Sequence, residues 1–255
     1  MSFFRTAIIT ATAMVAVVIS ASVGTANADT LSGAQKTEVE QVVRDYLLKN
    51  PEVIVEAINE LQRREKVAAA ESQRAAMKTM SSELTASPND PVMGNPDGDV
   101  TMVEFFDYRC GFCKRVFDDV KTLIKEDGNI RYVLKEFPIL GDDSVYASRV
   151  AMAVWLHQPD KYPAVHTALM TNKGALGNDK VMELAKGAGV DTKALVEQMN
   201  DPKIDQTFAT TQAQAQALGI TGTPAFVIGQ NLAPGAIPLT AMKQLVDAAR
   251  GISPH

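Results

Sequence analysis

The only two cysteines of the sequence, Cys110 and Cys113, stand two residues apart between an apolar run and an amphipathic one. That junction limits what the chain can become more than any other feature. Val100 to Asp107 (VTMVEFFD) has the pattern of a buried strand. From Cys113 to about Glu126, Val116, Phe117, Val120, Leu123 and Ile124 recur at helical spacing, and Gly128 supplies a stop. A strand that feeds a helix through Cys-Gly-Phe-Cys places Cys110 at the helix N-terminus, where free N–H groups and the macrodipole favour an anion. A thiolate there is the nucleophile of disulfide exchange. Cys113, one turn on and further inside, has the position of a resolving residue, and the spacing lets the two sulfurs meet in disulfide geometry.

Other uses of the pair are weaker. A disulfide closing so short a loop removes little unfolded-state entropy and makes a poor staple. Structural zinc needs four ligands, and His157, His166 and His255 show no paired spacing with the cysteines. No metal site and no cofactor are expected. A net charge of −5, with no block of like sign, gives no footprint for nucleic acid.

The first 28 residues differ from the rest. Arg5 is the only charge before Asp29, Ala7 to Val23 is almost wholly apolar or small, and Ala26-Asn27-Ala28 fits a peptidase site. A signal peptide over 1–28, cut after Ala28, is therefore expected, with a periplasmic mature protein. An uncleaved anchor is the alternative, because the apolar run sits at the short end of spanning length. In an oxidising compartment, a lone Cys-x-x-Cys points to redox chemistry.

After the leader come two helices. Thr30 to Lys49 carries Val39, Val42, Val43, Tyr46 and Leu47 at helical spacing. Asn50-Pro51 ends this helix and opens another, which runs to about Thr85 without an internal glycine or proline. Val53, Ile54, Ala57, Ile58 and Leu61 form a stripe in its front part, but the rest is too thinly apolar to fold onto a core alone. Residues 29–87 thus read as a helical oligomerisation and linker segment that self-associates through about 31–61. The alternative is a helix lying along the main domain. Met77 and Met80 read as packing residues rather than metal ligands.

The main domain is expected over 88–255. Ile130 to Phe137 is its second strand. Residues 143–218 show no strand signal and divide into helices at about Ser144–Leu156, Tyr162–Met170, Asp179–Ala188, Asp191–Asn200 and Ile204–Leu218. Ala225 to Ile228 is a short strand, and Leu239 to Arg250 a closing helix. The order strand, helix, strand, helical block, strand, helix is an α/β layout with an all-helical insertion. Six residues before Cys110, Glu104 is in phase with it on a β period and points beneath the cysteines. A carboxyl buried there would have a raised pKa and could relay a proton to Cys113, or else serve as a satisfied core acid. Gly222-Thr223-Pro224 precedes the last strand, a place where proline is tolerated.

The run Glu104-Phe105-Phe106-Asp107-Tyr108-Arg109-Cys110-Gly111-Phe112-Cys113, the segment Lys135-Glu136-Phe137-Pro138, the helical insertion and Gly222-Thr223-Pro224-Ala225-Phe226 together resemble the DsbA-like thioredoxin-fold family from about Val92 to Arg250. The helical extension ahead of them looks like the periplasmic ScsC (suppressor of copper sensitivity) and Com1-like branch. The resemblance implies a thioredoxin fold, with Cys110 as nucleophile, Cys113 as resolving residue, Glu104 as buried acid and Pro224 as a cis-proline that opens the Thr223 backbone to an extended client. Phe112 stands where DsbA carries a histidine, which implies a Cys110 pKa above that of DsbA and a less oxidising couple. Thr223 and Cys-Gly-aromatic-Cys are closer to the DsbC and DsbG isomerases.

Three functions are in competition. The first is an oligomeric disulfide isomerase or reductase that acts on exported clients, with Thr223, Pro224 and Phe112 as client contacts and a membrane thiol-redox partner keeping it reduced. The second is a monomeric dithiol oxidase. The third is a copper protein using the reduced pair, which suits soft Cu(I).

Overall fold

The computed structural model describes residues 32–251. The expected signal segment, its cut after Ala28 and His255 lie outside them. The chain divides after Glu60 into two compact units. In the first, α1 (Gly33–Lys49) opens on a capping box: Ser32 Oγ accepts from the Gln35 N–H, and Gln35 Oε1 accepts from the Ser32 N–H. It ends at Asn50, and α2 (Glu52–Ala86) follows, its residues from Leu61 on belonging to the second unit. No residue of α1 is buried. Val39, Val42, Val43, Tyr46, Leu48, Ile54, Val55 and Ile58 are all exposed, so the apolar stripe faces solvent.

The second unit contains β1 (Val92–Gly94), β2 (Val100–Phe106), α3 (Gly111–Asp127) and β3 (Ile130–Glu136). The insertion follows as α4 (Asp142–His157), a 3-10 turn (Pro159–Lys161), α5 (Tyr162–Thr171), α6 (Asn178–Gly187), α7 (Thr192–Gln198) and α8 (Pro202–Ala217). Then come β4 (Ala225–Ile228), β5 (Asn231–Pro234) and α9 (Leu239–Ala249). The sheet order is β1-β3-β2-β4-β5. β2 and β3 are parallel, from Val100 opposite Ile130 to Phe106 opposite Glu136, and the other pairs are antiparallel. This is a thioredoxin-like fold with an all-helical insertion.

The centre of the sheet explains the sequence of β2. Covered on both faces, the strand reads as a nearly unbroken apolar run, and its alternation divides the core in two. Met102 and Phe106 join Tyr132, Leu134, Cys113 and the apolar faces of α3, α4 and α9. Val103 and Phe105 join Val133, Phe137, Leu218 and Val227, together with Met77 and Leu84 of α2. Met80 packs against this second cluster, which places both methionines in packing roles. In α3, Val116, Phe117, Val120 and Leu123 face the core, and Gly128 ends the helix at φ 72°, its N–H bonding the Ile124 carbonyl at 3.0 Å. No helix among the described residues is long and apolar enough to cross a membrane.

The expected strand order omits β1 and β5. Both are short edge strands: Val-Met-Gly has too few residues to show alternation, and Asn-Leu-Ala-Pro ends on a proline tolerated only at an edge. Each exists through its pairing, β1 with β3 and β5 with β4.

Candidate active site

The strand-to-helix junction makes Cys110 the N-cap of α3, with an extended backbone and no side-chain capping bond. The N–H groups of Phe112 and Cys113 are therefore free to point at its sulfur. A hydrogen bond with Cys113 is the main cause that brings the Cys110 thiol down to about 5, followed by one from the Thr223 side chain and those N–H groups, with burial opposing. Burial drives Cys113 the other way, far above the usual thiol range, helped by its bond to Cys110 and by the Glu104 charge. Both are free thiols. The pair is thus polarised into an outer sulfur that ionises readily and an inner one that holds its proton.

Thr223 stands across from the pair. The Cys110 thiol donates to the Thr223 carbonyl at 3.2 Å, and the Thr223–Pro224 peptide is cis. A cavity of about 320 Å3 bounded by Thr223, Pro224, Leu232 and Gln73 adjoins this loop. Phe112 is 54% exposed. The Arg115 guanidinium lies over its ring, 4.6 Å from the centroid, so the position that lacks a histidine still has a cation stacked on it.

Glu104 is buried on the same face of β2 as Met102 and Phe106. The hydroxyl of Tyr132, its diagonal neighbour on β3, donates to it. Burial raises the carboxyl to about 8; the Tyr132 bond opposes this and the Cys110 charge adds to it. Near pH 7 most of this carboxyl is protonated, and it is the ionised fraction of a group that titrates near 8 that can take the Cys113 proton.

Sequence reasoning missed the groups that hold this junction in place. Buried Asp107 accepts from the N–H groups of Arg109 (2.7 Å), Ile139 (2.9 Å) and Leu140 (3.0 Å) and from Ser144 Oγ (2.8 Å). It thereby fixes the turn before Cys110 to the loop that opens α4. Buried Glu136 accepts from Tyr108 Oη (3.0 Å) and Ser148 Oγ (2.7 Å), and Tyr108 Oη also meets His166 Nδ1 at 3.0 Å. His166, weighed above as a metal ligand, instead sits among the rings of Phe106, Tyr108, Phe117 and Tyr162. Buried Lys135 pairs with buried Asp90. Asp107, Tyr108, Lys135 and Glu136 lie in the runs that carry the family resemblance, but nothing local in those runs shows which partners they meet. Among the described residues, no cluster of three or more metal-ligating side chains occurs.

A thioredoxin-like sheet that carries a polarised dithiol at the start of a helix, opposite a cis-proline loop, defines the thiol:disulfide oxidoreductases. The chain belongs to the DsbA-like thioredoxin-domain family, whose model matches residues 101–247. Residues 35–68 match the N-terminal domain of the copper resistance protein ScsC. A thioredoxin-like oxidoreductase from Silicibacter pomeroyi is 42% identical, covering 68% of this chain and 98% of that one at a TM-score of 0.65. ScsC of Proteus mirabilis, in a transitional conformation, is 30% identical over 87% of this chain and 99% of its own, with a TM-score of 0.66. The thiol:disulfide interchange protein DsbA of Bordetella pertussis is 31% identical over 153 residues, 55% of this chain and 68% of that protein. The chain spans only 24% of the length of another relative, a Na+/H+ antiporter NhaA of Salinispora arenicola, at 26% identity.

Proposed function

We propose that the chain is a periplasmic disulfide isomerase or reductase for exported proteins, assembled as a homo-oligomer through residues 31–61 and kept reduced by a membrane thiol partner. The observation that carries this reading is the exposed apolar face of Val39, Val42, Val43, Tyr46, Ile54 and Ile58, which asks for burial against further copies. Several active sites around one cleft suit reshuffling better than one-way donation of disulfides.

In this reading the Cys110 thiolate attacks a client disulfide, forming a Cys110–client bond and expelling the other client sulfur as a thiolate. That thiolate can return to a different cysteine, which is isomerisation. Alternatively, Cys113 passes its proton toward the Glu104 site and attacks Cys110, releasing a reduced client and leaving a Cys110–Cys113 disulfide for the membrane partner to reduce. Thr223 and Pro224 present backbone to an extended client, and exposed Phe112 offers apolar contact. A thiol near 5 lies between roughly 3.5 for DsbA and 7 for thioredoxin, which favours a couple less oxidising than DsbA.

Light scattering on residues 29–255, combined with refolding of a scrambled-disulfide substrate, tests the proposal. An oligomer that restores activity is expected, with isomerase turnover lost and dithiol chemistry kept when residues 29–60 are removed. A monomer with oxidase activity alone refutes it. A second reading rests on the match of residues 35–68 to a copper-resistance domain: the reduced cysteines would hold Cu(I). Stoichiometric Cu(I) binding without any effect on scrambled substrate would select that reading.

A further inference from the structure

A second cavity, of about 600 Å3, lies along the other end of the Cys110 junction and is lined by Arg109, Lys114, Phe117, Asp118, Lys173 and Leu176 among others. We propose that it is a carboxylate-binding subsite that takes an acidic side chain of the client segment, two or three residues from the cysteine under attack. The inference rests on the oxidoreductase reading above and names the client chemistry that the same site selects.

The cavity is built for an anion. Lys114 is half-buried, and its ammonium donates to the Asn172 carbonyl at 2.6 Å. Among the described residues, neither it nor Lys173 has a carboxylate within ion-pair distance. Burial pulls the Lys114 pKa down, as expected of a partly desolvated cation without a partner, and Asp107 opposes this from a distance. Asp118, the acid in the lining, is engaged by Lys121 at 2.9 Å. Arg109 bonds the Leu140 carbonyl at 2.6 Å, and its Nε lies 4.0 Å from Asp143. The cations outweigh the acid, and Phe117 and Leu176 supply apolar wall for the methylenes of a glutamate.

The position matches the chemistry. Arg109 directly precedes Cys110, and Lys114 stands one helical turn after it, its N–H bonding the Cys110 carbonyl at 3.1 Å, so residues on both sides of the nucleophile contribute to the lining. In an extended client, a side chain two or three residues from its cysteine lies roughly 7–10 Å away. The volume falls within the range of about 300–1,000 Å3 typical of ligand sites.

The test uses three short peptides, identical except for Glu, Gln or Lys two residues from a single cysteine that is activated as a 2-thiopyridyl disulfide. Cys110 attacks the peptide sulfur, the Cys110–peptide disulfide forms, and neutral pyridine-2-thione is released and read by absorbance. At low salt the Glu peptide is expected to react roughly tenfold faster than the Lys peptide, two favourable contacts replacing two unfavourable ones. The ratio should fall toward one near 1 M salt, where screening acts over about 3 Å. In Lys114→Gln/Lys173→Gln the ratio should approach one even at low salt. It should persist in Lys125→Gln, which removes an exposed cation of α3 outside the cavity. Equal rates for all three peptides overturn the subsite while leaving the dithiol reading intact. A preference that survives the double substitution, or that is lost in Lys125→Gln, overturns its assignment to this cavity. Release from none of the peptides overturns the oxidoreductase reading as well.

Discussion

Replacing Glu104 with glutamine tests the buried carboxyl through stability and turnover at once. Glutamine keeps an oxygen for the Tyr132 hydroxyl but cannot ionise. In the wild type, folded and unfolded chains both hold the carboxyl proton below pH 4.5, and the folded carboxyl releases it only near 8. Between those values the unfolded chain alone loses its proton, so stability falls as pH rises. At pH 7 the interval from 4.5 is two and a half pH units, and at 1.36 kcal/mol per unit this comes to about 3 kcal/mol. Cys110 runs the opposite way. Its depressed thiol favours the folded reduced state at high pH, and that contribution is lost as pH falls through about 5. The two trends offset each other in a wild-type pH profile, so the informative quantity is the difference between variant and wild type. Urea denaturation of the reduced proteins should show Glu104→Gln unchanged near pH 4 and more stable by about 3 kcal/mol at pH 7. Its turnover of scrambled substrate should drop on the order of a hundredfold, as Cys113 loses a carboxyl that is partly ionised near neutral pH and can take its proton in that form. Equal stability at pH 7, or the same gain at pH 4 as at pH 7, would refute the reasoning.

Two further substitutions probe the surroundings. Thr223→Val removes the side-chain hydrogen bond that helps hold the Cys110 thiolate; the pH midpoint of Cys110 alkylation should rise by about one unit, and an unmoved midpoint would mean that Cys113 and the helix N–H groups suffice. Lys135→Met leaves Asp90 buried without its partner and should cost about 3–5 kcal/mol in urea unfolding at pH 7. Adding Asp90→Leu should recover much of that loss, and a double variant as unstable as the single one would count against the ion-pair account.

The legible parts of this protein are those with local causes. The thiol pair announces itself because no other cysteine competes with it, and strand-then-helix periodicity around it places Cys110 at a helix N-terminus whatever the rest of the chain does. Helices that bury one face advertise their spacing, so the segmentation of 143–218 agrees with α4 to α8 within a few residues at each boundary. The position of Glu104 could be read for the same reason: a β period is local, and its face follows from its neighbours.

Tertiary structure decided what depends on a partner distant in sequence. β1 and β5 are strands only because β3 and β4 offer them unpaired edges. Tyr132 meets Glu104 through the register of β2 against β3, Thr223 reaches Cys110 across 113 residues, and Asp107 gathers its bonds from a loop more than 30 residues on. The sequence alone determined that an ionisable cysteine would open a helix. Only the packed sheet set how far each sulfur is shifted, because desolvation and hydrogen bonds from distant segments exist once the chain has closed around them.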